Sequence, residues 1–306
     1  MATKQYDRAA EDIGNIVGLE HVNVLVENQV HATLFYISGI GLTRDPYMMT
    51  SIDNMWVNVG PRSQFHLPTG KPQVLRGRIG LTVPDRAALL RRLGNVKKHL
   101  EGTKYDFAER EGYVEATCPW GNVFRLHEPA QGALNKLTMA YVEFDVATGS
   151  AKGIADFYSR IFDAPSRVDT KGKAPRARVS VGLGQELIFR ETDAKLATYD
   201  GHHIQVYVAN FSGPHGKLLD RGLITEESNQ YQYRFDTIVD LDGNKKLFQI
   251  EHEVRSMSNP MYARPLVNRN PLQNNRNYIP GRDGFVPDHM DAAMDNPRDA
   301  QRMRLG

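Results

Sequence analysis

One cysteine, Cys118, stands in a chain of 306 residues. No disulfide can form within the chain, and no thiolate cluster is at hand for zinc or an iron–sulfur centre. A reducing, cytoplasmic setting is expected. Excess charge is missing too: 38 Lys+Arg meet 36 Asp+Glu, a formal +2, so no bulk basic field draws phosphate backbones and no nucleic-acid partner is expected. No apolar run approaches the roughly 18–20 residues of a membrane helix, and the opening MATKQYDRAAEDIGN lacks the apolar stretch of a secretory leader. The expectation is a protein with no membrane association. Several catalytic signatures are also absent: Gly-x-Ser-x-Gly, a phosphate loop ending in Gly-Lys-Ser/Thr, and His-Glu-x-x-His. The glycines of GLGQE, residues 182–186, fall between two strand-like stretches and read as a hairpin turn. Cys118 has no base beside it in sequence and reads as inert.

What is there is a repeat. With 41% hydrophobic and 24% charged residues the chain can bury a full core, and its length suits about two domains. Four segments, HVNVLV, RIGLTV, YVEFDV and HIQVYV, begin at residues 21, 78, 141 and 203, so successive copies lie 57, 63 and 62 residues apart. In each the apolar residues alternate, as in Val22, Val24 and Val26, which is the period of a strand with one buried face. A helical stretch follows each strand: HATLFYISGI, DRAALLRRLG, AKGIADFYSRIF and GPHGKLLDRG. The first and third share a Phe-Tyr pair, Phe35-Tyr36 and Phe157-Tyr158. The second and fourth share a Leu-Leu pair followed by Gly94 and Gly222, which read as helix stops. Further strands close each copy, and Gly121-Asn122 and Gly243-Asn244 precede the last strand of the second and fourth, where a turn needs positive φ.

A βαβββ unit with a strand opening on His, a Phe-Tyr pair on its helix and a Gly-Asn turn before its final strand resembles the vicinal oxygen chelate superfamily. That superfamily includes glyoxalase I, fosfomycin-resistance proteins and type I extradiol ring-cleaving dioxygenases. The resemblance covers about residues 16–255 and implies an α+β fold of four βαβββ modules paired into two cup-shaped, mixed β-sheet domains, 16–130 and 136–255. Residues 256–306, rich in Asn, Arg and Pro, read as an extended C-terminal arm that drapes over its own chain, wraps a neighbouring copy in a homo-oligomer or is disordered; the alternation of Arg264-Pro265-Leu266-Val267 favours an ordered arm.

Strand parity then sorts side chains. If the valines pack under the helix, the first cup presents His21, Asn23, His66, Arg78, Thr82, Arg125 and His127. The second presents Tyr141, Glu143, Asp145, His203, Gln205, Tyr207, Gln249 and Glu251. The ligand positions implied by the resemblance hold His21, His66, Arg78 and Arg125 in the first cup, and guanidinium groups do not bind a divalent cation. That cup reads either as a substrate site for a small anion, using Arg78, Arg125, His21 and His66, or as arginines paired with acids such as Glu115 or Glu128. In the second cup His203 and Glu251 fit a site of two histidines and one carboxylate, with the third ligand from Tyr141 or His202. Tyr141, Glu143 and Tyr207 are candidates for proton transfer. His252 points to the helix side, where a carboxylate partner is expected.

The implied function is a small-molecule metalloenzyme resembling extradiol dioxygenases, with Fe(II), or Mn, Zn or Ni, chelating adjacent oxygens of a catechol-like substrate. The alternatives are a metal-free lyase or isomerase, and a sequestering protein, for a small anionic aromatic compound.

Overall fold

A computed structural model describes residues 6–45, 48, 53–131, 133 and 135–266. Each copy of the repeat folds as strand, helix and three further strands. The first has β1 (Ile16–Asn23), β2 (Thr43–Arg44), β3 (Asn54–Val59) and β4 (Ser63–Pro68); the second has β5 (Gly77–Thr82), β6 (Asp106–Arg110), β7 (Tyr113–Thr117) and β8 (Val123–His127). The third has β9 (Thr138–Ala147), β10 (Ser166–Asp169), β11 (Arg176–Ser180) and β12 (Glu186–Thr192); the fourth has β13 (His203–Val208), β14 (Ile224–Asn229), β15 (Gln232–Val239) and β16 (Lys246–Ser256).

The helices form where the apolar spacing switches from two to nearly four. Asn28 starts α1 (Gln29–Ala32) by accepting hydrogen bonds from the N–H groups of Val30 and His31, and the helix continues as a π-helix over Thr33–Ile40. Asp85 caps α2 (Arg86–Val96) in the same way through Ala88, and α3 (Ala151–Phe162) and α4 (Ser212–Leu219) follow. Gly222, at φ 66, lies just past α4 as expected of a stop. Gly94 does not stop α2: the helix runs on to Val96, because Leu93 and Val96 are both buried and packing outweighs the cost of an internal glycine. Among the described residues no helix is long and apolar enough to cross a membrane.

The strands form two eight-stranded mixed sheets, β14-β15-β16-β13-β1-β4-β3-β2 and β10-β11-β12-β9-β5-β8-β7-β6, and the fold is α+β. The first sheet therefore unites the first and fourth modules, and the second unites the second and third. The compact units hold consecutive modules, most of the first and second in one and the third and fourth in the other. The repeat spacing defines each module but gives all four opening strands the same free edge, so it carries no information on which edges meet. One compact unit gathers the described residues up to Glu20, Arg76–Arg78 and Ala140–Met257; the other gathers His21–Leu75, Ile79–Met139 and the stretch from Ser258. That division cuts β1 between Glu20 and His21, which one peptide bond joins.

The repeated Phe-Tyr pairs are core anchors. Phe35, Tyr36, Phe157 and Tyr158 are all fully buried. Tyr36 meets Phe65 at a ring separation of 5.1 Å, and Tyr158 meets Phe189 at 5.6 Å. Burying an aromatic ring of this size stabilises the fold by about 1.5–3 kcal/mol. His252 lies in this layer as expected, but its partner is a phenol and not a carboxylate. Its Nε2 is 2.6 Å from Tyr158 OH and its Nδ1 is 2.9 Å from the Ile250 carbonyl, and burial pushes its pKa down to about 4. Cys118 is buried as well, which pushes its thiol pKa up and keeps it from acting as a nucleophile. Gly182 and Gly184 make the hairpin between β11 and β12 at positive φ; the Gly-Asn turns place Gly121 at φ 112 and Asn244 at φ 51.

Of the arm, residues from 267 onward lie outside the described residues. Its beginning is anchored: Arg264 donates from Nη2 to Asp45 Oδ2 at 3.0 Å, with both side chains at 1% exposure or less, and Asn58 donates to the Leu266 carbonyl. Asp45 also accepts from Gln64 at 2.8 Å. Removing one partner strands the other's charge in a dry site. Asp45→Ala is expected to cost about 3–5 kcal/mol in urea unfolding, and the double change Asp45→Leu with Arg264→Met to recover most of that loss.

Candidate metal centre

Strands β13 and β16 run parallel, with His203 opposite Glu251, Gln205 opposite Glu253 and Tyr207 opposite Arg255. At a period of two these six side chains share one face of the first sheet. Glu253 is 3% exposed and His203 12%, against 30% for Glu251. The imidazole of His203 lies between two carboxylates: Nδ1 is 3.5 Å from Glu251 Oε1, and Nε2 is 3.7 Å from Glu253 Oε2. Arg234, from the neighbouring β15, reaches both acids, through Nη1 to Glu251 and Nη2 to Glu253. Arg255 holds the other Glu253 oxygen at 2.5 Å and reaches Glu20 at 3.5 Å, and Glu20 also accepts from the Tyr207 hydroxyl at 3.5 Å.

His21 completes a cluster. It follows Glu20 on β1, and its ligand atom and those of His203 and Glu253 all lie within 4.8 Å of one another. Two imidazoles and one carboxylate form a donor set for a divalent transition metal. The charge balance agrees: Glu20, Glu251, Glu253 and the more exposed Glu226 against Arg234 and Arg255 leave two net negative charges when the imidazoles are neutral. The buried amide of Gln205, with no hydrogen-bond partner among the described residues, adds unmet polar capacity on the same face. The residues fit a metal ion. Glu251, 3.5 Å from Nδ1 on the other side of the ring from Glu253, would then lie outside the ligand set and orient the imidazole.

No protein-family model matches the sequence, and no curated protein does. Solved structures match at low identity. A Bacillus subtilis protein provisionally named a dioxygenase aligns over 95% of this chain and 96% of its own, at 14% identity and a TM-score of 0.55. Glyoxalase I from Zea mays aligns over 78% of this chain and 92% of its own, at 12% identity and a TM-score of 0.56. The chain has the vicinal oxygen chelate fold.

Within that vicinal oxygen chelate fold the expected site residues separate onto two sheets. His21, His66, His203, Tyr207 and Glu251 belong to the first sheet, and Arg78, Arg125, Tyr141 and Glu143 to the second. The four residues expected to bind an anion, Arg78, Arg125, His21 and His66, are thus divided between the sheets. Arg78 is committed to acids, as its alternative reading held, although the acids are Glu143 at 2.7 Å and Asp145 at 3.0 Å and not Glu115 or Glu128. Arg125 lies over the Tyr113 ring, 5.2 Å from its centroid. Tyr141 lies on β9 of the second sheet and His203 on β13 of the first. His202 does not reach the cluster. Its fully buried ring meets Tyr199 edge-on at 5.1 Å, and its Nδ1 is 2.6 Å from Asp200. The next residue along a strand points to the opposite face, so His202 and His203 cannot serve one ion.

Sequence reasoning missed Glu253, Glu20, Arg234 and Arg255. The signal for Glu253 and Arg255 was present, since residues 249, 251, 253 and 255 share a parity. Glu20 and Arg234 become visible only with the strand pairing. His66 stacks on Trp56 at 3.9 Å and meets His21 edge-on at 6.1 Å, so the imidazole of His21 is bounded by a flat aromatic wall.

Arg234 holds two acids together while no cation is bound. Arg234→Met is expected to lower the stability of the metal-free protein by about 2–3 kcal/mol, the worth of charge-assisted hydrogen bonds. It is expected to tighten Zn(II) binding about tenfold by removing a positive charge beside the ligands. Thermal unfolding of the metal-free protein and chelator competition check the two effects.

Proposed function

We propose that this chain is a metal-dependent enzyme for a small molecule carrying two adjacent oxygens, with His21, His203 and Glu253 as the metal ligands. The observation that carries this reading is the convergence of those three side chains within 4.8 Å on one sheet face. Fe(II) is the ion expected, because two histidines and one carboxylate on one face leave positions open for a chelating substrate and dioxygen. Mn, Zn and Ni accept the same ligands. The substrate class is catechol-like, and ring cleavage is the proposed reaction, in keeping with the name given to the Bacillus subtilis protein of the same fold.

When bound, such an ion would polarise the chelated oxygens and hold charge as it develops. The chain's own residues supply the rest. The Trp56–His66 stack offers a flat surface for an aromatic ring. Tyr207, hydrogen-bonded to Glu20, is the group proposed to exchange a proton with the ligand. Of the three residues expected to move protons it is the one on the same sheet face as His203. Glu251 orients the His203 ring, and Arg255 fixes the Glu253 carboxylate.

Elemental analysis of the freshly purified protein is expected to find close to one divalent metal per chain. His21→Ala, His203→Ala and Glu253→Gln each lower that affinity by more than tenfold, while His202→Ala retains it. Anaerobic loading with Fe(II) followed by catechol and dioxygen is expected to give oxygen uptake in the wild type and none in His203→Ala. A wild-type chain that takes up no metal, or a His203→Ala variant with undiminished affinity, overturns the proposal. Stoichiometric catechol binding without oxygen uptake favours sequestration.

A further inference from the structure

Gln205 lies two residues beyond His203 on β13, on the same face, and opposite Glu253 in the parallel register with β16. Its side chain is fully buried. Neither its amide nitrogen nor its amide oxygen has a hydrogen-bond partner among the described residues. A buried amide in that condition opposes folding, because it has given up its hydrogen bonds to water and gained none. Leucine has nearly the same volume and no such penalty. A glutamine at this position, beside His203 and Glu253 of the candidate metal cluster, is the mark of a group whose partner is a ligand.

We propose that Gln205 anchors the substrate of the metal centre, its amide binding a neutral hydroxyl of a vicinal diol or catechol whose oxygens the ion chelates. This rests on the metal-centre reading above. The assignment of a hydroxyl follows from the chemistry of the amide, which presents a donor and an acceptor side by side. A hydroxyl satisfies both. A carboxylate or phosphate oxygen accepts only, and would set negative charge against the amide oxygen and against Glu251 and Glu253. An ammonium group donates only and would leave the amide N–H groups unmet. The ligand class that fits is therefore one that keeps one of its two adjacent oxygens protonated when it binds. Gln205 is then a specificity-determining residue: it rewards a hydroxyl-bearing ligand and penalises analogues in which that hydroxyl is replaced by hydrogen or a methoxy group.

The test uses the full chain loaded with Zn(II), which binds without redox turnover, and 4-nitrocatechol as the chromophoric probe. Gln205→Leu and the near-isosteric Gln205→Met are expected to raise the melting temperature of the metal-free protein by several degrees. Both are expected to keep Zn(II) affinity within about threefold of wild type, because the ligands are untouched, and to weaken 4-nitrocatechol binding tenfold or more. 4-Nitroguaiacol, with one hydroxyl methylated, is expected to bind wild type poorly and the two variants no more poorly than wild type. A purely structural glutamine would give the opposite signature: a lower melting temperature in both variants with probe affinity unchanged. Either of those results overturns the proposal. A wild-type chain that binds Zn(II) but not 4-nitrocatechol overturns it while leaving the metal centre standing. A wild-type chain that binds no Zn(II) removes the metal centre and this proposal together.

Discussion

The parallel register of β13 with β16 is the constraint on which the centre depends. It sets His203 opposite Glu251 and Gln205 opposite Glu253, so an imidazole, an amide and two carboxylates share one sheet face at fixed spacing. A shift of one residue in either strand would exchange that row for Ile204, Val206, His252 and Val254, which are buried beneath the helices. The hydrophobic face and the polar face are thus locked together. The aromatic layer around Tyr158, Phe189 and His252 holds the register, and the register places the polar groups.

Gathering carboxylates in a part-buried place is costly unless their charge is met. Here two arginines meet part of it. Arg234 spans Glu251 and Glu253, and Arg255 links Glu253 to Glu20. The same guanidinium groups that make the metal-free fold tolerable also restrain its affinity for a cation, and the net negative charge they leave is the margin with which a divalent ion is attracted. The second sheet has taken the other course. At the equivalent place Arg78 and Arg190 neutralise Glu143 and Asp145 directly, and that face is closed by ion pairs.

The fold was largely legible in the sequence because burial imposes period-two alternation on the opening strands, and because Phe35-Tyr36 and Phe157-Tyr158 mark the two core helices. The polar outer strands β6, β10 and β14, mostly exposed, carry no such alternation, and nothing in their residues set them apart from loops. Every residue of the metal cluster except Glu253 was singled out from strand parity, yet His21 and His203 were assigned to different cups. Local periodicity reports which face a side chain occupies. It is silent on which strand edge will be its neighbour, and that nonlocal fact decides whether two histidines 182 residues apart can share an ion.

The Arg264–Asp45 pair has a further consequence in time. Its partners are separated by 219 positions along the chain. At about 5–20 residues per second a ribosome would take about 10–40 s to deliver Arg264 after Asp45 has emerged. Throughout that interval Asp45 lacks the Arg264 guanidinium that meets its charge in the folded chain. The buried ion pair of the first module is therefore completed only once a segment far along the chain has been made.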